Sequence, residues 1–189
     1  MKITSAEFIK GIRGTNSVAC DGAIQIAFVG RSNVGKSSII SSIARNKKLV
    51  KVSNVPGKTR EINFFLINRE FYLVDLPGYG YSQVCPEEKE KLKKLIIWYL
   101  TDPDIQPRVV VLVLDIRAGM TEFDIQMLKL LKEYGHPYCI VANKVDKLTQ
   151  NELALQMKKI KAVAGDEEVL PVSAVKAGGL KKLLKKLFV

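Results

Sequence analysis

Apolar positions along this chain fall into two textures. Short, nearly unbroken runs occur at residues 24–29 (interrupted by polar Gln25), 62–67, 71–74, 109–114, 138–142 and 169–172. Their length and continuity predict strands, most of them buried on both faces. Other stretches, at about 36–45, 86–100, 121–134, 151–163 and 180–188, repeat apolar residues every three or four positions and predict helices. In the second of these, Leu92, Leu95, Ile96 and Tyr99 share one face. Pro86, Glu87 and Glu88 open it and lysines follow, an order that complements the helix dipole. Thr121 is the expected cap of the third. The two runs flanking Asn68-Arg69-Glu70 predict an antiparallel hairpin at a sheet edge. Strands otherwise alternate with helices. The expected fold class is therefore α/β, a mostly parallel six-stranded sheet with one antiparallel edge strand and helices on both faces.

Residues 1–21 have no period. Gly11, Gly14 and Asn16 interrupt them, so they are expected to form an N-terminal arm, pinned by Phe8 and Ile9, with residues 22–189 as one domain. The polar, basic segment 46–60, with its Pro56-Gly57 turn, is expected to be an exposed loop.

Composition changes the picture only through charge. With 47% hydrophobic and 26% charged residues the chain has an ordinary globular balance, but its net charge of +11 favours an anionic partner, nucleic acid or an anionic membrane. Cys20, Cys85 and Cys139 have no C-x-x-C spacing, which argues against zinc or a disulfide framework and for a reducing compartment. Residues 1–10 lack the apolar core of a signal peptide, and no run is long enough to cross a bilayer. A cytoplasmic location without stable membrane insertion is expected. The tail sets Leu180, Leu183, Leu184 and Leu187 against Lys181, Lys182, Lys185 and Lys186. Such a helix suits a membrane surface, although an α/β fold needs a last helix on its sheet, where the same leucines would serve the core. Lys47, Lys48 and Lys51, and Lys158, Lys159 and Lys161, are further basic clusters.

The chemistry is concentrated after the strands. Gly30-Arg31-Ser32-Asn33-Val34-Gly35-Lys36-Ser37 has the spacing G-x-x-x-x-G-K-[ST] between a predicted strand and a predicted helix, with Ser38 next. Such a loop turns backbone N–H groups onto a phosphate chain, and the helix N-terminus adds its dipole. Lys36 would reach the β- and γ-phosphates and Ser37 would hold Mg²⁺. Asn143-Lys144-Val145-Asp146 follows a late strand. Guanine presents N1–H and a 2-amino group, two adjacent donors for the Asp146 carboxylate that adenine lacks. Lys144 would lie over the ring, and Asn143 would bond base and loop. In Ser173-Ala174-Val175 a backbone N–H could meet guanine O6. Asp75-Leu76-Pro77-Gly78 fits an aspartate that orients Mg²⁺ and a glycine amide on the γ-phosphate. Thr59, in Gly57-Lys58-Thr59-Arg60-Glu61, is the expected second hydroxyl on the metal.

Taken together, the phosphate loop, Pro56-Gly57-Lys58-Thr59-Arg60 and Asp75-Leu76-Pro77-Gly78-Tyr79-Gly80-Tyr81 resemble the EngB family (also YihA or YsxC) of translation-factor-like GTPases, over roughly residues 24–187. The resemblance implies a single Ras-like P-loop GTPase domain that binds GTP or GDP with Mg²⁺. It also implies action on the large ribosomal subunit or its precursors (rRNA and ribosomal proteins), with a link to cell division and septation; a monomer is the default expectation. Many members carry Thr where this chain has Asn143. Ras-like GTPases place a water-orienting glutamine where this chain has Tyr79, which implies slow intrinsic turnover. In related GTPases an asparagine at the position of Asn33 helps hold K⁺ beside the phosphates, so K⁺ is a candidate cofactor. Lys36, Thr59, Gly78 and Asn33 are then the expected catalytic set, and His136 is expected to be structural. The alternative is a GTP-dependent scaffold at a membrane or septum, anchored by the basic tail. A small-molecule P-loop kinase is disfavoured by N-K-x-D.

Overall fold

In a computed structural model of the chain, residues 3–46, 49, 60–80 and 85–188 are described. Among them one sheet has the strand order β1-β3-β4-β2-β5-β6-β7. The strands are β1 (Ala6–Ile12), β2 (Ile24–Gly30), β3 (Ile62–Ile67), β4 (Phe71–Asp75), β5 (Val109–Asp115), β6 (Tyr138–Asn143) and β7 (Val169–Val172). The helices are α1 (Lys36–Ile43), α2 (Pro86–Thr101), α3 (Glu122–Glu133), α4 (Gln150–Ala164) and α5 (Leu180–Phe188).

Strand alternation sorts the core into two layers. Val110, Leu112 and Leu114 of β5 face the layer that holds Leu95, Ile96 and Tyr99 of α2, Leu131 of α3 and Ile160 of α4. Val109, Val111 and Val113 face the other, with Ile39 and Ile40 of α1 and Leu180, Leu183 and Leu187 of α5. The leucine stripe of α5 is thus engaged in the core, and its Phe188 ring meets Phe71 at 4.8 Å. Lys182 and Lys186 face outward and pair with Glu168 at 3.0 and 3.1 Å. No helix among the described residues is long and apolar enough to cross a membrane.

The α/β class is as expected, but the sheet has seven described strands rather than six. The additional one is β1, in the segment expected to be an arm. It pairs antiparallel with β3, bulging between Phe8 and Lys10. Phe8 packs on Phe65 at a ring separation of 5.6 Å, whereas Ile9, at the bulge, is exposed. β3 also runs antiparallel to β4, so it is the one reversed strand and lies second from the edge, not at it. β1 escaped prediction because only one side of it meets the core. Its burial alternates irregularly, and Glu7, Lys10 and Gly11 break up its apolar residues so that no strand period shows in the sequence.

Candidate functional site

The strand order reverses around β2, which pairs in parallel with β4 on one side and β5 on the other. In open α/β sheets the crevice at the carboxyl ends of such strands is where ligands bind. Every motif of the described chain opens there: the glycine-rich loop after β2, Asp75 ending β4, Asp115 ending β5, Asn143 ending β6, and Ser173 just past β7.

The loop between β2 and α1 needs its second glycine. Gly35 caps α1 with φ 100°, a left-handed conformation that L side chains rarely adopt. Lys36, 6% exposed, donates from Nζ to the carbonyl oxygens of Gly30 and Arg31 at 3.0 and 3.4 Å. Its ammonium therefore sits inside the curl of the loop. Burial lowers the Lys36 pKa, and the charge on Asp75 opposes that shift. Asp75 is itself buried, which raises its pKa, while Lys36 and the Ser37 hydroxyl pull it down.

Ser37 Oγ donates to Asp75 Oδ2, and Asp75 Oδ1 is buried with no hydrogen-bond partner. An unpaired buried carboxylate oxygen beside a hydroxyl is a hard donor pair of the kind Mg²⁺ takes. The residues present therefore fit that ion.

Beyond Asp75 the chain returns across the loop. Ser32 N–H donates to Tyr79 O at 2.9 Å, and Arg31 and Tyr79 form an isolated parallel bridge. Gly78 lies so near that an added Cβ would come within 2.7 Å of Ser32 Cα, which is backbone that cannot swing aside. The Tyr79 side chain turns away from the loop. Its hydroxyl donates to Asp124 Oδ1 at 2.8 Å, and burial raises its pKa well above that of an ordinary phenol. Asp124 is also the capping-box partner of Thr121, as the third residue of α3.

The second half of the site is tied to the first through Asn143. Its Nδ2 donates to Val34 O at 2.9 Å and its Oδ1 accepts from Ala174 N–H at 3.1 Å. One side chain thus joins the phosphate loop, the N-K-x-D motif and the loop after β7. Lys144, in a left-handed conformation (φ 71°), donates to Asn33 O at 2.5 Å and to Asp115 Oδ2 at 2.8 Å. Ser173 Oγ donates to Asp146 Oδ1 at 2.6 Å, and this bond lowers the Asp146 pKa. Of the Ser173-Ala174-Val175 stretch, the Ala174 amide is engaged by Asn143 and Val175 is 82% exposed.

Asn33 has an exposed side chain on the same rim and Ser38 is an exposed position in the first turn of α1. Val145 belongs to a short 3-10 turn with Asp146. Leu76 is fully buried and donates its N–H to Phe28 O at 3.1 Å, and Pro77 next to it is buried. Arg60 and Glu61 lie away from these groups, paired with Glu88 and Arg13 respectively at 2.9 Å. Gly57, Lys58 and Thr59 lie outside the described residues, as do Tyr81, Lys47, Lys48 and Lys51. His136 meets Leu100 O at 2.5 Å, remote from the site.

Sequence spacing did not single out Asp115 and Arg117. Burial raises the Asp115 pKa, but hydrogen bonds from Arg117 and Lys144 outweigh it and hold the carboxyl at about 2. Arg117 Nη2 lies 2.6 Å from Asp115 Oδ2. No sequence spacing links Asp115 to Lys144; the pairing of the strands that end at Asp115 and Asn143 brings them together.

Comparison with known proteins agrees with this geometry. A family model described as 50S ribosome-binding GTPase matches residues 25–144, and one for the elongation factor Tu GTP-binding domain matches residues 105–189. The probable GTP-binding protein EngB of Clostridium beijerinckii is 46% identical over 191 residues, covering 100% of this chain and 96% of that protein. Its counterpart in Clostridium kluyveri is 47% identical over 190 residues, covering 99% and 96%. A crystal structure of a probable EngB superposes with a TM-score of 0.72 at 25% identity, covering 87% of this chain and 96% of the other. Era in complex with MgGDPNP and a 16S ribosomal RNA segment superposes with a TM-score of 0.67 at 22% identity, covering 87% and 55%. That second likeness is one of fold.

Proposed function

This chain belongs to the EngB family of P-loop GTPases, and from that membership we propose that it binds and hydrolyses GTP as a switch in assembly of the large ribosomal subunit, and through it supports normal cell division and septation. The observation that carries the proposal is the match to the 50S ribosome-binding GTPase model. It spans the phosphate loop, Asp75 and Gly78, and reaches Asn143 and Lys144.

In this reading Lys36 neutralises the β- and γ-phosphates and the Gly78 amide meets the γ-phosphate. Ser37 and Asp75, together with Thr59, would hold Mg²⁺. The metal supplies charge neutralisation on the phosphate oxygens when bound. Asp146, fixed by Ser173, reads guanine, and Lys144 covers the ring. The Tyr79 hydroxyl is engaged by Asp124, so no side chain at that position orients the attacking water, and intrinsic turnover is slow. Asn33, exposed on the rim, is the residue that would contact K⁺, which when bound would supply positive charge beside the phosphates. Turnover is then faster in K⁺ than in Na⁺ buffer, and equal rates would remove K⁺ from the mechanism.

The switch itself is tested by co-sedimentation with purified large subunits in GDP or a non-hydrolysable GTP analogue at physiological salt. Tighter binding with the analogue is expected. Equal binding in both states would leave only charge-driven association and refute a switch on this partner.

A further inference from the structure

Away from the nucleotide site, a cavity of about 420 Å³ opens between the exit of β1 and α2. Leu92 and Leu95 form its floor, Trp98 lines its wall, and Arg13, Lys91 and Lys94 stand around it. Its one lining carboxylate, Glu88, is engaged by Arg60 at 2.9 Å, and Arg13 pairs with Glu61 at the same distance. Lys91 and Lys94 are exposed and form no ion pair among the described residues. Trp98 is half-buried against the core.

We propose that this cavity binds single-stranded RNA, with one base stacked on Trp98 and the flanking phosphates on Lys91 and Lys94. The proposal deepens the ribosome reading and rests on it for the source of the RNA. A flat aromatic wall on an apolar floor, bordered by cations, is the combination that takes a splayed base and its backbone. An acidic peptide would satisfy the lysines but offers no planar ring for Trp98. Helical spacing puts 91, 94, 95 and 98 on one face of α2. Lys89 and Lys93, on the same helix, instead line a second cavity of about 520 Å³ against α3, which provides a charge-matched control.

Trp98 is the only tryptophan in the chain, so its emission reports on this cavity alone. The full-length protein is titrated with an unstructured RNA 12-mer, following Trp98 quenching, and with the labelled 12-mer, following anisotropy. Saturable quenching is expected. Lys91→Ala with Lys94→Ala weakens binding about tenfold and lowers the salt slope by about one to two. Lys89→Ala with Lys93→Ala weakens it less than threefold. Trp98→Phe keeps affinity within about threefold, and Trp98→Ala loses about tenfold. Binding without quenching, or equal losses from the two lysine pairs, would overturn the proposal. So would a polyglutamate peptide that quenches Trp98 and displaces RNA, since that assigns the cavity to an acidic protein segment. If the Lys91/Lys94 variant keeps nucleotide-dependent subunit binding and 12-mer affinity, the cavity is refuted and the switch stands. If wild-type protein ignores subunits but the 12-mer quenches Trp98, the switch on the large subunit falls and the cavity stands.

Discussion

Asp146, the proposed reader of guanine, is a carboxylate held by a neighbour. The Ser173 hydroxyl donates to one of its oxygens at 2.6 Å and lowers its pKa, fixing the orientation of the group. Asp146→Ala is expected to weaken GTP binding about 10- to 100-fold, the cost of losing hydrogen bonds to a charged acceptor. ATP binding stays weak and unchanged, and titration calorimetry with both nucleotides measures the contrast. Asp115 carries a different prediction. Its folded pKa, about 2, lies below the usual carboxylate value of 3.8. A depressed acid stabilises the fold fully above the unfolded pKa and loses that contribution as pH falls through the folded one. With Arg117 half-exposed, screening reduces the effect, so Asp115→Asn costs about 1 kcal/mol at pH 7. The deficit falls to roughly half at pH 3, as read by urea denaturation at both values. The motif residues themselves were legible in sequence because phosphate and guanine recognition demand fixed residue types at fixed spacings. Asp115 was not, because its partner Lys144 lies 29 residues away and only strand pairing brings them together.

Among the elements, α5 was the ambiguous one. Its leucine stripe and lysine face fit a membrane surface as well as a sheet, because periodicity reports an apolar face without reporting what covers it. Packing decided: Leu183 is fully buried among β-strand side chains. Leu183→Ala is expected to destabilise the fold by about 3 kcal/mol, whereas Lys181→Ala changes it by less than about 0.5 kcal/mol. Equilibrium unfolding of the two variants distinguishes a core helix from a free one. If Leu183→Ala were neutral, the helix would not belong to the core. The other helices were legible to within a residue or two because their starts are marked in sequence. Pro86 opens α2, and capping boxes at Thr121 and Thr149 open α3 and α4.

Over the whole molecule, β1 is the element with the greatest reach. It covers the edge of β3, whose residues Ile62–Ile67 are almost entirely buried. An uncovered apolar edge pairs with other chains. Deleting residues 1–12 is therefore expected to produce aggregation, detected by light scattering and size-exclusion chromatography. A monodisperse product with an unchanged unfolding midpoint would show that β1 is dispensable. The same strand hands the chain to Arg13 and the cavity over α2, so the edge closure and the proposed RNA contact share one segment.

The α/β class, the chain order of most strands and helices, and the phosphate and base motifs could all be read from the residues alone. These depend on local periodicity and on ligand chemistry that tolerates few residue types. That β1 joins the sheet, that β3 lies inside its edge and that α5 is core emerged only from the packed molecule. So did the bonds by which Asn143 ties two loops together and the turn of Tyr79 toward Asp124. Each of these is a contact between segments far apart in the chain, where several partners suit the same side chain and packing selects one.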